Sequence, residues 1–295
     1  MKVSQNTPSN TPDITAITSS KTQNFEVRTR GFSSIDAFEG LPATQNAVTK
    51  WPIRKGALGA PVDLDIFMPP GSGPFPVTVF AHGFLLDKDE YGDLVKSLSK
   101  KGCAVVVPQL HRPKVPFNVP SSAQDGQVIK DVVAWLENAP QDLQKKWDSN
   151  CLYAAGHSRG AKAWWQAIDS STPVKGYLAI DPADGGFEDP VFSDETAKNI
   201  PSVVVGGGRS NERKFGFLPP AVFPNEGFKK VAKFTGSDTD VVQIPNMGHF
   251  DMLDKAGPFA VDRWTVVAGD NRSATIESIA NAFGKLLTKT KSLAS

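Results

Sequence analysis

Short apolar runs alternate with amphipathic segments along most of this chain. The runs Val77 to Ala81 and Cys103 to Val107 are rich in β-branched residues, which is typical of strands covered on both faces. Residues 90–100 and 122–138 place their apolar side chains at helical spacing instead. Strands and helices in turn predict βαβ units, so we expect an α/β fold whose mostly parallel central sheet carries helices on both faces.

The same alternation continues on either side of these segments. Apolar residues recur at every second position from Val62 to Met68, which predicts a half-buried strand. Further strands are predicted at 152–155, 174–180, 203–205 and 241–244, and further helices at 160–168 and 276–287. The sequence contains no internal repeat, so we expect one domain over residues 24–295.

Composition excludes several classes of protein. With 32 basic and 31 acidic residues among 295, the chain has no electrostatic footprint for binding nucleic acid. Its two cysteines, Cys103 and Cys151, do not form a disulfide framework or a zinc cluster. We expect no metal site in the protein itself and no cofactor. No apolar run approaches the roughly 18 residues of a membrane span, so no transmembrane segment is expected.

The N-terminal residues 1–23 differ from the rest of the chain. They are mostly Ser, Thr, Asn, Gln and Pro, which cannot bury enough apolar surface to become ordered. This composition predicts a disordered tail or, alternatively, a targeting segment. There is no apolar core of a secretory signal peptide, so the protein is not expected to be secreted.

Two proline-rich stretches, 109–121 and 206–227, interrupt the regular pattern. Both leave predicted strand ends, where open α/β sheets bind their ligands, and both carry large hydrophobic side chains. They are expected either to wall an apolar pocket or simply to pack on the surface of the domain. In the first case the substrate-binding residues from these loops would be His111, Phe117, Phe215, Phe217 and Leu218.

The segment Gly156-His157-Ser158-Arg159-Gly160 lies between a predicted strand and a predicted helix. This is the context of a nucleophile elbow, where two glycines permit a turn so sharp that the serine hydroxyl projects above the sheet. A G-x-S-x-G pattern alone is weak, but its position between strand and helix favours Ser158 as a nucleophile. The domain is accordingly predicted to have the α/β-hydrolase fold.

A serine nucleophile needs a general base, and the chain has only four histidines. His157 is part of the elbow and is expected to pack, while His82 follows a strand and is interpreted as loop structure. His111 begins the first proline-rich stretch. His249 lies after the last predicted strand, as the order Ser, acid, His of this fold requires, and is therefore predicted to be the base.

The acid is less clearly indicated. Most enzymes of this fold carry it after the strand that corresponds here to 203–205, but Gly206 to Gly208 follow that strand and only Glu212 is near. Asp181 ends the preceding predicted strand at the same edge of the sheet as the serine. It is the preferred acid, and Asp184 is the alternative.

Acyl transfer also requires hydrogen-bond donors for the oxyanion of the tetrahedral intermediate. The residue after the nucleophile, Arg159, is expected to supply one backbone N–H. The loop after Val77 to Ala81 should supply the second, which makes Phe84 the candidate. The charged side chains of Arg159 and Lys162 are interpreted as surface charges or supporting partners.

Four blocks of this sequence resemble the chlorophyllases, serine esterases of plants and some photosynthetic microbes. They are His82 to Leu86 with Tyr91 and Val106 to Leu110; Gly156 to Lys162; Ile180 to Gly185; and Gly248 to Asp254. Ala161 departs from the family's usual second glycine after the elbow arginine.

The resemblance implies hydrolysis of the phytyl ester of chlorophyll to chlorophyllide and phytol, with Ser158, Asp181 and His249 as the triad. It also implies chlorophyll as the partner, peripheral contact with the thylakoid membrane, and a chloroplast or cytoplasmic location. Phe84 and Leu85 would then contact the substrate beside the oxyanion. The alternatives are a general carboxylesterase, lipase-like enzyme or phospholipid-acyl hydrolase on the same fold, and a non-catalytic pigment-binding protein.

Overall fold

A computed structural model describes residues 47–111, 120–185, 188–217, 220–223, 225–254 and 267–294. These residues contain eight strands, which are β1 (Thr49–Ile53), β2 (Leu64–Met68), β3 (Phe75–Ala81), β4 (Ala104–Pro108), β5 (Trp147–His157), β6 (Gly176–Ile180), β7 (Ser202–Gly207) and β8 (Thr239–Ile244). They form one sheet in the order β1-β2-β4-β3-β5-β6-β7-β8. The strands from β4 to β8 in this order run parallel, and β2 pairs antiparallel with both β1 and β4.

Helices cover both faces of this sheet. The described helices are α1 (Gly92–Ser99), α2 (Ser122–Asn138), α3 (Gln141–Gln144), α4 (Arg159–Ala167), α5 (Phe228–Phe234) and α6 (Arg272–Ala294). Helix α2 packs on α4 over one hydrophobic core, and α1 packs on α6 over a second core on the opposite face. The prediction of a mostly parallel sheet with helices on both faces is therefore confirmed.

The register of the parallel strands sets the position of the site. Ala81 of β3 lies beside Gly156 of β5, and His157 lies beside Ile180 of β6. The carboxyl ends of these neighbouring strands consequently meet at one edge of the sheet. In α/β folds this edge is where ligands bind.

The strand predicted at 62–68 is present as β2, but the expectation that it is half-buried was wrong. Strand β2 begins at Leu64, and all five of its residues are buried. Asp65 occupies the face predicted to be solvated, where Lys50 and Lys88 place their ammonium groups 2.9 and 2.6 Å from its carboxylate. The polar position is thus covered by paired charges rather than by water.

Several elements differ in extent from the predictions. Strand β1 and the short helices α3 and α5 were not predicted, and α6 is 23 residues long where a helix at 276–287 was expected. The tail at 1–23, Phe117 and Leu218 lie outside the described residues. Among the helices that are described, none is long and apolar enough to cross a bilayer.

Candidate active site

Ser158 lies on the turn between β5 and α4 with φ 54° and ψ −123°. A serine pays a steric cost for positive φ, so the surrounding packing must enforce this conformation. Both flanking glycines are required by that packing. A Cβ on Gly160 would lie 2.2 Å from the carbonyl oxygen of Ala81, and one on Gly156 would lie 2.6 Å from the backbone nitrogen of Ala161. The predicted strand–turn–helix context of G-x-S-x-G is present.

The structure brings together the serine, histidine and aspartate that were expected to form the triad. His249 Nε2 lies 2.9 Å from Ser158 Oγ, and His249 Nδ1 lies 2.6 Å from Asp181 Oδ2. All three side chains are buried. Because a carboxylate can only accept, Nδ1 carries the hydrogen and Nε2 is left to accept from the serine hydroxyl. This arrangement can withdraw the hydroxyl proton as the oxygen attacks an ester.

Asp181 projects from the end of β6 with φ 41°. Its second carboxylate oxygen accepts a 2.9 Å hydrogen bond from the backbone N–H of Gly207, the last residue of β7. A Cβ on Gly207 would lie 2.7 Å from the backbone carbonyl oxygen of Met247, so a side chain does not fit there in this packing. The strand that most enzymes of this fold use for the acid here supplies a backbone donor instead.

Asp184, the alternative acid, lies away from His249 in a different set of bonds. Its Oδ1 accepts from the backbone N–H groups of Val191 and Phe192 at 2.8 and 3.2 Å, and Lys230 Nζ lies 2.5 Å from Oδ2. This buried carboxylate therefore anchors the segment that follows β6. The geometry favours Asp181 over Asp184 as the partner of the base.

The two expected oxyanion donors lie on adjacent elements. Arg159 is the first residue of α4, where a backbone N–H has no acceptor within the helix. Phe84 lies three residues beyond the end of β3, and its ring packs beneath the Arg159 guanidinium, 5.2 Å from ring centroid to Cζ. This contact ties the β3 loop to the start of α4.

Arg159 and Lys162 are not surface charges, and that part of the prediction was wrong. Arg159 pairs with Asp125 at 2.8 Å and with Glu188 at 3.2 Å. Lys162 is 1% exposed and donates to the backbone carbonyl of Asp189 at 2.5 Å. Both cations are held by segments distant in sequence, which is why local patterning did not indicate these partners.

The other three histidines each have a polar partner. His82 Nε2 accepts from the backbone N–H of Leu110 at 3.0 Å, so this side chain braces the loop, as expected. His111 Nδ1 lies 3.0 Å from Asp125 Oδ1. His157 is fully buried, as its expected packing role requires, but its ring nitrogens also bond the Tyr91 hydroxyl and the backbone carbonyl of His249.

The expected pocket residues are only partly described. Phe215 and Phe217 are 67% and 73% exposed and stack on each other with centroids 6.2 Å apart. Leu85 is partly buried, with φ 57°. The two rings thus form an exposed apolar patch on the loop that leaves β7, and their part in substrate binding stays a prediction.

Two acidic residues near the base were not assigned a role from the sequence. Asp251 accepts from the backbone N–H groups of Gly248 and Gly269 at 2.7 and 2.9 Å. Asp254 accepts from the N–H of Asp93 at 3.0 Å. These carboxylates fasten the loop of His249 to neighbouring segments. The spacing of acids around His249 was a visible signal, but their partners were not.

The sheet, the elbow and the serine–histidine–aspartate arrangement define this protein as an α/β-hydrolase. Its fold is similar to that of dienelactone hydrolase from Anabaena variabilis, with a TM-score of 0.53 over 80% of this chain and 97% of the other. The sequence identity is 14%, so this likeness concerns the fold alone.

The family model for chlorophyllase matches residues 40–282, and the chain belongs to the chlorophyllase family. It is 29% identical to Chlorophyllase-1 of Arabidopsis thaliana over 249 residues, which cover 76% of this chain and 74% of the relative. It is 26% identical to Chlorophyllase type 0 of Chenopodium album over 242 residues, covering 72% and 67%. The resemblance inferred from the sequence blocks is confirmed at the level of the family.

Two buried histidines should make the fold sensitive to acid. Burial lowers the pKa of His82, and burial together with the neighbouring His249 lowers the pKa of His157 well below its usual range. Below about pH 6.5 the unfolded chain binds protons that the folded chain excludes. The free energy of unfolding should therefore decrease as the pH is lowered, by up to about 1.4 kcal/mol per pH unit for each histidine.

Urea unfolding from about pH 7.5 down to about pH 5.5 measures this slope. His82→Gln removes one of the two groups and should reduce the slope by about half. A slope that is unchanged by this substitution would mean that His82 does not exclude its proton in the folded state.

Proposed function

We propose that this protein is a chlorophyllase, a serine carboxylesterase that hydrolyses the phytyl ester of chlorophyll to chlorophyllide and phytol. One observation carries the proposal. In a member of the chlorophyllase family, Ser158, His249 and Asp181 form a continuous buried hydrogen-bonded chain at the ligand-binding edge of the sheet. Their hydrogen bonds run in the direction that ester hydrolysis requires: Ser158 donates to His249, which donates to Asp181.

In the proposed first step, Ser158 Oγ attacks the carbonyl carbon of the propionate ester while His249 Nε2 takes its proton. Asp181 stabilises the imidazolium that forms. The negative charge moves to the carbonyl oxygen, which the backbone N–H groups of Arg159 and Phe84 are proposed to bind. Loss of either donor would cost about 3–4 kcal/mol of barrier stabilisation.

The tetrahedral intermediate then collapses and the ester C–O bond breaks. His249 returns its proton to the departing phytol oxygen, which leaves chlorophyllide attached to Ser158 as an acyl-enzyme. A water molecule, deprotonated by His249, attacks this second ester, and Ser158 recovers its proton as chlorophyllide leaves. These proposed steps use only side chains, backbone amides and water, and they need no cofactor. Magnesium enters as part of the substrate macrocycle.

The exposed rings of Phe215 and Phe217 support an apolar substrate. A C20 alcohol and a flat macrocycle offer large hydrophobic surfaces, and exposed aromatic patches often mark binding sites. The same rings, beside the basic Arg213 and Lys214, suit peripheral contact with the thylakoid membrane, where chlorophyll is held. The proposed location is the chloroplast or cytoplasm of a photosynthetic cell, and imaging of a fluorescent fusion tests it.

A paired assay of chlorophyll a and a short p-nitrophenyl ester tests the proposed activity. We expect chlorophyllide from chlorophyll, and Ser158→Ala and His249→Ala should each reduce turnover about 10⁴-fold or more while chlorophyll binding persists. Rapid cleavage of the short ester without chlorophyllide would instead favour a general carboxylesterase or lipase-like enzyme. Binding of pigment without labelling of Ser158 by a fluorophosphonate would indicate a pigment-binding protein.

Paired amide substitutions test the assignment of the acid. Asp181→Asn should lower kcat by about 10⁴-fold because Asn cannot hold His249 in the reactive tautomer. Asp184→Asn keeps an oxygen for its backbone donors and loses only the charge facing Lys230. We expect it to keep kcat within about threefold and to lose about 1–3 kcal/mol of stability. The reverse pattern would assign the acid to Asp184.

Polar substitution of the exposed rings tests their role in binding. Phe215→Ser or Phe217→Ser should raise KM for chlorophyll several-fold and leave KM for the short ester unchanged, because only the large substrate reaches the patch. Val241→Ser, at an exposed apolar residue on the edge strand β8, is the matched control. Equal effects on the two substrates would mean that the rings do not contact the pigment.

A further inference from the structure

A series of buried hydrogen bonds joins the loop that follows β3, which contains Gly83 and Phe84 and is called the oxyanion loop below, to the backbone of His249. The N–H of Gly83 lies 3.0 Å from the hydroxyl oxygen of Tyr91, which lies 2.7 Å from His157 Nδ1. His157 Nε2 in turn lies 2.9 Å from the carbonyl oxygen of His249. Tyr91 and His157 are each fully buried, so solvent does not replace these bonds.

The two ends of this series determine the position of every hydrogen. The amide of Gly83 can only donate, and the carbonyl of His249 can only accept. Nε2 of His157 therefore carries the hydrogen, Nδ1 accepts, and the Tyr91 hydroxyl donates to it. A ring nitrogen that accepts from the Tyr91 hydroxyl carries no hydrogen, so the ring of His157 is neutral in this arrangement. Burial, with the adjacent His249, lowers the pKa of His157 well below its usual range, in agreement with this tautomer.

We propose that Tyr91 and His157 are positioning residues, which hold the backbone of His249 and the Gly83-Phe84 turn at fixed distances from Ser158. This inference rests on the proposed esterase function, because it assigns a catalytic effect to two groups that touch no reacting atom. It adds residues that lie outside the triad and the oxyanion donors.

The sheet topology explains why the hydrogen-bonded series Gly83, Tyr91, His157 and His249, called the brace below, is needed. The oxyanion loop follows β3 and the base follows β8, and the strands β5, β6 and β7 separate them in the sheet. His157 ends β5 and stands directly before the nucleophile. Its ring packs against the ring of His249 with centroids 4.6 Å apart. The side chain of His157, next to the nucleophile, thus contacts the base directly and the oxyanion loop through Tyr91.

The residues of this brace are closely packed. A Cβ on Gly83 would lie 3.0 Å from His157 Nδ1 and 3.3 Å from the Tyr91 hydroxyl. An apolar residue at position 157 would leave the hydroxyl of Tyr91 and the carbonyl of His249 without these partners. Displacements of about 1 Å in an active site reduce turnover by about 100-fold. The proposal therefore predicts a loss in kcat rather than in substrate affinity.

Removal of the Tyr91 hydroxyl is the direct test. With a short p-nitrophenyl ester as substrate, we expect Tyr91→Phe to lower kcat by about 10-fold to 100-fold and to leave KM within about twofold. Tyr153→Phe is the matched control, because its buried hydroxyl bonds Thr290 of α6 instead. It should lose stability and keep kcat. Equal kcat in the two variants would overturn the proposal.

Substitutions at His157 separate positioning from simple packing. Gln has an acceptor and a donor about as far apart as the two ring nitrogens and should restore part of the kcat that His157→Phe loses. The acid limb of the pH profile of kcat/KM, which reports the base, should move in His157→Phe and not in Tyr153→Phe. Failure of Gln to exceed Phe, with an unmoved acid limb, would assign His157 to packing alone.

The outcome is distinguishable from failure of the proposed function. A protein that cleaves the short ester but not chlorophyll contradicts chlorophyllase activity and still tests the brace. If the protein cleaves neither, the His249 Nδ1–H resonance in proton NMR decides. It should exchange with water faster in Tyr91→Phe than in the native protein or Tyr153→Phe, and equal exchange in all three would overturn the proposal.

Discussion

The close approach of helix α4 to strand β3 is the constraint on which the site depends. At Gly160 the backbones are so near that a Cβ would lie 2.2 Å from the carbonyl oxygen of Ala81. This contact forces the turn at Ser158 into positive φ and directs the first amides of α4 toward the same edge as the β3 loop. The base and the acid, although they come from distant segments, are useful only because they are built around this turn.

The position of the acid shows how backbone space decides where a functional group can be placed. Gly207 at the end of β7 packs so closely against the backbone carbonyl of Met247 that it has no room for a side chain. Asp181, which follows the strand next to β5, supplies the carboxylate. The backbone N–H of Gly207 donates to Asp181 Oδ1 at 2.9 Å. The end of β7 thus supplies an N–H donor and the end of β6 supplies the carboxylate. His249 still has a carboxylate partner in Asp181.

Buried and partly buried ion pairs connect the segments around the site. Arg159 links the start of α4 to Asp125 of α2 and to Glu188, and Lys162 reaches the same region beyond β6. Buried ion pairs contribute little net stability because desolvation offsets their attraction. We infer that their value here is geometric: each pair allows one placement of its segment. The hydrogen bonds of Asp251 to Gly248 and Gly269 hold the loop of His249 in the same way.

The sequence alone determined the sheet-and-helix architecture, because apolar periodicity records which faces of each element are buried. It also pointed to Ser158, Asp181 and His249, since only four histidines were available and the strand ends of a parallel sheet share one edge. It did not indicate the burial of Asp65 and Lys162, the ion pairs of Arg159, or the contact of Tyr91 with His157, 66 residues away. Those features depend on partners that only the folded chain brings near, and no local pattern encodes a distance between remote side chains. Tertiary structure therefore decided how the groups are held, after composition and order had decided which groups were present.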